Sequence, residues 1–435
     1  MPYDASRRDF LRHSAAIAGA AALPLSATEL LADPRPVPVA LPHAPLGQDD
    51  PVRIGVIGTG GMGTGHLEAL VGAARDGKAN VRVVALADVC QPRLMEAKKK
   101  AEAIQGEGSV TTYTAYKDLL ARPDLHGVLI ASPEHWHAQM AEDAILAGKD
   151  VYVEKPMTLQ LKEALRLRDV VARNPKAIAV VGTQFVMIQS YNEARQLIAD
   201  GAIGKPVWSQ TSYCRNSKDG EWLYYGIDPA WQPGVNLDWD AWCGPLGAAP
   251  WNPEVYARWR RYRKYSTGII GDLLVHRITP LFVSMDLGWP TRVTASGGHY
   301  VDKAMENHDQ INITVEFEKE HTMIVAGSTA NEVGLETVIR GHKGNLYVGG
   351  NTTLLRPERL FADEVEERTI PGVEQGDSQD LLRLKWLDCI RTRAPSPSPV
   401  DLGARVMVIV DLATRSMWEG GAFGFDPATL EVRKL

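Results

Sequence analysis

The stretch Val52-Arg-Ile-Gly-Val-Ile-Gly58 is a β-branched run that ends in Gly58-Thr-Gly60-Gly-Met-Gly63. A helical pattern follows at once through His66, Leu67, Leu70 and Val71. Strand, Gly-x-Gly-x-x-Gly turn and helix in that order point to a dinucleotide-binding βαβ unit. Gly58 permits the tight turn, Gly60 lets the backbone approach a pyrophosphate, and Gly63 lets the helix pack against the strand. The helix N-terminus offers free N–H groups and a partial positive charge to the phosphates. Thr59, Gly61 and Met62 complete the loop and are expected beside the cofactor. A second strand, Val81-Arg-Val-Val-Ala-Leu-Ala, ends at Asp88, 25 residues beyond Gly63. An acid there suits ribose hydroxyls and repels a 2′-phosphate. NAD is therefore expected, with Arg93 keeping NADP open.

The alternation continues. Tyr116-Lys-Asp-Leu-Leu starts a short helix, and Gly127-Val-Leu-Ile-Ala-Ser132 reads as a buried strand followed by Pro133-Glu-His-Trp-His137. A helix over 138–148 leads to the strand Asp150-Val-Tyr-Val, which ends at Glu154-Lys155-Pro156. A helix over 158–171 and a strand over 177–182 close the unit. Strand–helix repeats of this length predict a doubly wound parallel sheet, with ligands at the carboxyl ends of its strands. The first domain thus spans 51–182 and the second 183–435.

The second domain opens with a helix that ends at Gly201 and a strand over 207–213. Period-two runs over 291–296, 309–317, 322–326, 336–341 and 345–348 follow, with His342-Lys343-Gly344 as a hairpin turn. Helices over 378–393 and 401–419 close the chain. The expected class is α/β: a doubly wound parallel sheet, then an α+β domain with a large, mostly antiparallel open sheet, one face free.

At 435 residues the chain is long enough for two domains. Its 47 Lys and Arg against 53 Asp and Glu leave a net charge of −6, with no basic block. That disfavours nucleic acid as a partner. No apolar run reaches the ~20 residues of a membrane span. The four cysteines form no CxxC pair and no His-Glu-x-x-His occurs, so no metal site is expected.

The N-terminus reads as an address. Ser6-Arg7-Arg8-Asp9-Phe10-Leu11-Arg12 precedes an alanine-rich apolar stretch over 15–27. A basic region, a short apolar core and small residues make a secretory signal, and the Arg7-Arg8 pair fits the twin-arginine type. Residues 1–32 are assigned to it, with cleavage near Ala27 or Ala32. Residues 33–50, with five prolines, form an extended leader. The protein is expected in the periplasm or otherwise exported, with the twin-arginine machinery as a partner. An enzyme exported folded must carry its nucleotide with it.

The glycine loop, Ser132-Pro-x-x-x-His137, Glu154-Lys155-Pro156 and Asp272-x-x-x-His276 together resemble the glucose–fructose oxidoreductase / inositol dehydrogenase / MocA-like oxidoreductases, over 51–435. The resemblance implies a Rossmann domain followed by an open-sheet domain that covers the nucleotide and joins copies into a dimer or tetramer. It implies that Lys155, Asp272 and His276 face the nicotinamide and a sugar or polyol hydroxyl, and that Ser132, His137 and Glu154 border the cofactor. A branch of the family cleaves glycosides through transient oxidation. Its best-known members replace the Lys of Glu-Lys-Pro, which this chain keeps.

Oxidising a secondary alcohol moves a hydride to nicotinamide while a base takes the hydroxyl proton. Lys155 can stabilise the developing alkoxide. If Gly271 begins a helix, Asp272 and His276 lie one turn apart on one face. His276 is then a proton acceptor near neutral pH, with Asp272 orienting it or binding a neighbouring hydroxyl. Gln184, Tyr213 and Arg260 are expected to bind substrate. Of His135 and His137, the latter fits the pocket and the former is expected to be exposed. Aromatic side chains crowd 222–265 with little periodicity, a pattern that suits either sugar contact or a loop core. The function expected is an oxidoreductase for a sugar, glycoside or polyol, with redox-neutral glycoside cleavage as the alternative. A non-catalytic nucleotide-binding scaffold is the third reading.

Overall fold

The computed structural model describes residues 46–435; the twin-arginine stretch and the leader up to residue 45 lie outside the described residues. Six strands form a parallel sheet: β1 (Val52–Ile57), β2 (Val81–Ala87), β3 (Thr111–Tyr113), β4 (Gly127–Ile130), β5 (Asp150–Val153) and β6 (Ala179–Val181). Their order is β3-β2-β1-β4-β5-β6, and every pairing is parallel. They are joined through α1 (Gly61–Arg75), α2 (Gln91–Gln105), α3 (Tyr116–Leu120), α4 (Glu134–Leu146) and α5 (Leu161–Arg173). Strands β4 and β5 are buried at every position, as expected where both faces of a sheet are covered. The order reverses between β1 and β4, which opens a crevice at the carboxyl ends of these strands.

Helix α2 and strand β3 carry little sequence signal. The helix runs through Lys98, Lys99 and Lys100 and buries Leu94, Ala97 and Ala101. Three small or single apolar contacts on a polar helix give weak periodicity.

The second domain holds ten strands: β7 (Pro206–Cys214), β8 (Pro290–Gly298), β9 (Gln310–Phe317), β10 (His321–Ser328), β11 (Val338–Gly341), β12 (Gly344–Tyr347), β13 (Thr352–Pro357), β14 (Arg368–Pro371), β15 (Ala422–Asp426) and β16 (Glu431–Lys434). They form one sheet in the order β14-β13-β12-β11-β7-β10-β9-β8-β15-β16. Strands β7 and β10 pair in parallel and the other neighbours are antiparallel. Strand β9 shows why one face is free: Ile311, Ile313, Val315 and Phe317 are buried, while Asn312, Thr314 and Glu316 are exposed. The terminal strands β14 and β16 are largely exposed and were not legible as strands.

The helices of this half are α6 (Gln189–Ala199), α7 (Trp239–Cys243), α8 (Pro253–Arg258), α9 (Val275–Met285), α10 (Ser378–Thr392) and α11 (Val400–Glu419). Helices α9 and α11 pack on the covered face of the ten-stranded sheet. Helix α10 instead joins the first sheet. Its Leu382, Trp386 and Ile390 share a core with Val52, Ile54 and Leu129, and Trp386 meets Tyr152 edge-on at 5.6 Å. The C-terminal part of the chain thus completes the nucleotide-binding half, and a boundary at residue 182 cuts through a shared core.

Candidate active site

A cavity of about 530 Å³ occupies the crevice between β1 and β4. Gly58, Gly60, Gly61, Met62, Asp88, Ser132, His137, Glu154, Lys155 and Arg260 all border it. Thr59 and Gly63 do not line it. Gly58 has φ +85°, and a Cβ there would meet the Ala131 and Ser132 backbone at 2.8 Å. A Cβ on Gly63 would stand 1.8 Å from the Gly58 carbonyl oxygen, so only glycine lets α1 approach the loop this closely. Gly61 faces open space at the N-terminus of α1. A loop stripped of Cβ atoms at a helix N-terminus fits a pyrophosphate.

Asp88 ends β2 beside this loop. Its Oδ2 accepts from the Thr59 N–H at 2.6 Å and the Thr59 hydroxyl at 3.1 Å, and its Oδ1 accepts from the Cys90 N–H at 2.8 Å. The carboxylate therefore fixes the glycine loop and also borders the cavity. Arg93 is flanked by Trp231 and Tyr256, 4.6 and 4.8 Å from their ring centroids.

Lys155 projects from the turn after β5. Its Nζ donates to the Asp272 carboxylate at 3.0 Å and to the Asp272 carbonyl at 2.9 Å. An ammonium has three donors, so one remains for an oxygen in the cavity. Arg260 donates through Nε to the same Asp272 Oδ1 at 2.8 Å. Burial by itself would raise the Asp272 carboxyl; the charges of Lys155 and Arg260 overcome it and hold the group well below the usual carboxylate range. One buried carboxylate thus sits between two cations, and the cluster keeps net positive charge facing the cavity. Arg260, expected as a direct substrate contact, reaches the cavity wall from this ion pair.

Two sequence expectations about Asp272 and His276 need correction. Gly271 does not begin an α-helix. Residues Ile270–Leu274 form a π-helical turn, and α9 starts at Val275. A Cβ at Gly271 would lie 1.9 Å from the Thr267 hydroxyl oxygen, so glycine is needed for this wide turn. Nor does Asp272 orient His276, because its carboxylate is taken by Lys155 and Arg260. The imidazole is held by rings instead: Phe185 at 5.3 Å and Tyr213 at 6.0 Å between centroids. Its Nδ1 is buried with no partner. Burial, then the Lys155 charge, pushes its pKa down to about 3. His276 is therefore a neutral imidazole with a free ring nitrogen, not a group poised near neutral pH.

The remaining buried groups position these. Glu154 accepts from His66 at 2.8 Å, and His66 Nδ1 stands 3.0 Å from Arg383 Nη1 on α10. Burial would raise Glu154, but the hydrogen bond from His66 and the charge of Lys155 take it down to about 2. His137 stands between two carbonyls, Pro156 at 2.7 Å and Ser132 at 2.8 Å, and so ties the Lys155 turn to the end of β4. Glu134 was not singled out from the sequence. It is fully buried, accepting from the Ser266 hydroxyl at 2.5 Å and from Thr267 N–H and Oγ1 at 3.1 and 3.2 Å. It anchors the turn that launches Asp272, and burial pushes its pKa up to about 7. Only its place at the first turn of α4 marked it in the sequence.

His135, expected to be exposed, is buried. Its Nε2 meets the Trp242 carbonyl at 2.8 Å, and its ring lies against Trp242 and Tyr265. The aromatic segment folds over it. Within that segment Trp239 and Trp242 stack at 4.7 Å and share a core with Leu237, Val255, Tyr256 and Tyr265. A loop core is thus the main use of these rings, while Tyr225, Trp242 and Trp259 also border the cavity. Gln184, Tyr213, Asp272 and His276 do not border it. The Gln184 Oε1 is buried without a partner, and Tyr213 receives a hydrogen bond from Arg215 at 3.1 Å while facing His276. Among the described residues no group of three or more His, Cys, Asp or Glu could hold a metal ion. None of their helices is long and apolar enough to cross a membrane.

A dinucleotide crevice walled by a lysine–carboxylate–arginine cluster defines a nicotinamide-dependent oxidoreductase scaffold. The chain belongs to the Gfo/Idh/MocA oxidoreductase family: its NAD-binding Rossmann model matches residues 52–183 and its C-terminal alpha/beta model residues 247–423. A glycosyl hydrolase family 109 protein of Shewanella pealeana is 29% identical over 247 residues, 51% of this chain and 50% of that protein. Inositol 2-dehydrogenase 1 of Saccharopolyspora erythraea is 32% identical over 156 residues, 36% of this chain and 44% of the relative. The chain thus spans about half the length of these curated relatives. Among solved structures, a levoglucosan dehydrogenase complex with NADH superposes with a TM-score of 0.65 at 19% identity, covering 86% of this chain and 98% of that one. The myo-inositol dehydrogenase of Lactobacillus casei, in complex with NAD(H) and myo-inositol, gives 0.61 at 18% identity, covering 88% and 100%.

His276 has a sign-definite consequence. Its folded pKa, about 3, lies below the unfolded value of about 6.5, so only the unfolded chain takes up this proton as pH falls from about 6.5. Acidification from about pH 6.5 to about pH 5 should therefore destabilise the wild type by about 2 kcal/mol more than His276→Asn. Thermal unfolding of both proteins at the two ends of the window measures this. An equal or larger acid loss in the variant would contradict a buried neutral imidazole.

Proposed function

We propose that this protein oxidises a secondary hydroxyl of a sugar, glycoside or polyol, using NAD held at the glycine loop. The observation that carries the reading is Lys155, fixed twice to Asp272 with one donor left toward the cavity. NAD, when bound, would accept the hydride. Lys155 would donate to the substrate oxygen and stabilise it as negative charge develops. Arg260 and Asp272 hold the ammonium in place, so little reorganisation is needed during the reaction. His276, a neutral imidazole, is the candidate acceptor for the hydroxyl proton. NAD is preferred to NADP because the Asp88 carboxylate stands where a 2′-phosphate would lie.

Redox-neutral glycoside cleavage on the same site is the second reading, favoured by the likeness to the family 109 glycosyl hydrolase protein. Oxidation at one carbon acidifies its neighbour, and elimination then releases the aglycone. Export through the Arg7-Arg8 signal would suit either reading, since a folded enzyme leaves with its nucleotide. The uncovered face of the ten-stranded sheet is the surface we assign to dimer or tetramer formation.

Incubating the NAD-loaded protein with free sugars, polyols and aryl glycosides separates these readings. Lasting appearance of reduced-nicotinamide absorbance supports the dehydrogenase, and aglycone release without it supports the hydrolase. Lys155→Met should lower kcat at least about 10²-fold in either case while still binding the nucleotide. Normal turnover by that variant would sink the site assignment. Replacing Arg7 and Arg8 with Lys should leave the precursor in the cytoplasm; unchanged export would reject the twin-arginine reading.

A further inference from the structure

The aromatic segment opens with a pair of rings that the loop core does not use. Tyr224 and Tyr225 are 58% and 39% exposed, and their ring centroids lie 4.8 Å apart. Exposed side chains ordinarily sample several rotamers, but this pair is fixed. The Tyr224 hydroxyl donates to Glu221 at 2.9 Å. Glu221 is itself buried and accepts from the Ser217 hydroxyl at 2.6 Å and from Arg215 at 3.1 Å. The Tyr225 carbonyl accepts from Arg258 Nε at 2.9 Å, and the Tyr225 N–H donates to the Trp222 carbonyl at 3.3 Å. Trp222 is buried with φ +63°, a left-handed backbone that is strained for so bulky a residue. Strain of this kind persists only where the surroundings hold it, and the turn that Trp222 opens is the one that carries Tyr224. Apolar rings left in water yet held still lose little freedom when a partner settles on them.

The pair stands at the reacting end of the cofactor crevice. Tyr225 and Trp259 both wall that cavity, as do Lys155 and Arg260. The Arg260 guanidinium lies 4.2 Å from the Trp259 ring and 5.9 Å from the Tyr225 ring. Asp272 takes only the Nε of Arg260, which leaves the terminal amino groups as donors beside both rings. Tyr224 adds its ring next to Tyr225, beyond the cavity wall. Lys155, Arg260, Tyr225 and Tyr224 therefore mark a path from a buried ammonium to the surface, polar donors first and exposed ring faces last. The segment is also tied down. The Gln91 N–H donates to the Asn236 carbonyl at 2.8 Å and the Asp238 N–H to the Val89 carbonyl at 3.0 Å, which fasten it beside the end of β2.

We propose that Tyr224 and Tyr225 form a subsite for a second sugar ring, so that the natural substrate is a disaccharide or a longer glycan rather than a free monosaccharide. The reacting ring at Lys155 rests on the oxidoreductase reading, whereas the stacking subsite stands on the two tyrosines. A pyranose has C–H faces that suit an aromatic ring and a rim of hydroxyls that need hydrogen-bond partners. The tyrosines supply the faces, and Arg260 supplies donors for the rim. A flat aryl group would stack too, but would leave those donors unmatched.

Titration calorimetry on the NAD-loaded protein tests this, with cellobiose, maltose, lactose and p-nitrophenyl glucoside against glucose and galactose. At least one disaccharide should bind about tenfold or more tighter than its own monosaccharides. Tyr224→Ala should erase that preference while nucleotide affinity is kept. Tyr224→Phe, which keeps the ring, should retain more of it. Disaccharides that bind no tighter than monosaccharides anywhere in the panel, no binding included, would overturn the subsite. So would a preference that Tyr224→Ala leaves unaltered, or that both variants lose equally. Tightest binding by the nitrophenyl glucoside would also overturn it and place an aromatic aglycone there. A disaccharide held through Tyr224 that neither reduces the nucleotide nor is cleaved would retain the subsite and reject the oxidoreductase reading. Reduction by monosaccharides alone, with no disaccharide preference, would do the reverse.

Discussion

The Asp272 carboxylate is the point on which the molecule turns. Lys155 comes from the parallel sheet, Arg260 from the aromatic segment and Asp272 from the π-helical turn before α9, and all three meet within hydrogen-bond distance. A buried carboxylate is tolerated only when its charge is met, and here two cations meet it. Removing either partner from such a pair costs about 3–5 kcal/mol in general, because it leaves a buried charge uncompensated. The cluster therefore fastens the two halves together at the same atoms that face the cavity.

A second buried network performs the same task for the cofactor loop. Glu154, next to Lys155, is tied through His66 to α1 and through Arg383 to α10. Since α10 also supplies Trp386 to the core of the first sheet, the C-terminal part of the chain reaches back to set the glycine loop. Glu134 then fixes the turn that carries Asp272. Three buried acids, each with its own donors, place the reacting groups on rigid elements rather than on free loops.

The first domain was legible because its signals are local: a β-branched run, three glycines, and an acid at the next strand end. The six central strands of the second sheet were legible, mostly from period-two patterning, as Ile311, Ile313, Val315 and Phe317 show. What failed to show was non-local. Strands β14 and β16 bury too little to alternate. The π-turn at Ile270–Leu274 follows from Thr267 packing over Gly271, which spacing alone does not reveal. His135 read as exposed because the segment that covers it lies about a hundred residues later. Asp272 was found, but its partner was misjudged: four residues separate it from His276, whereas the cations it binds come from the turn after β5 and from the short helical turn at Trp259–Arg261. Charge pairing across a fold overrides helical spacing.

The central claim is that the glycine loop and Lys155 address opposite ends of one nucleotide. A crystal structure with NAD bound tests it most directly. The account predicts the pyrophosphate over Gly58–Gly63, the adenosine ribose at Asp88, and the nicotinamide beside Lys155 on the side of Asp272 and His276. A nicotinamide turned away from Lys155, or a nucleotide bound outside this crevice, would contradict it.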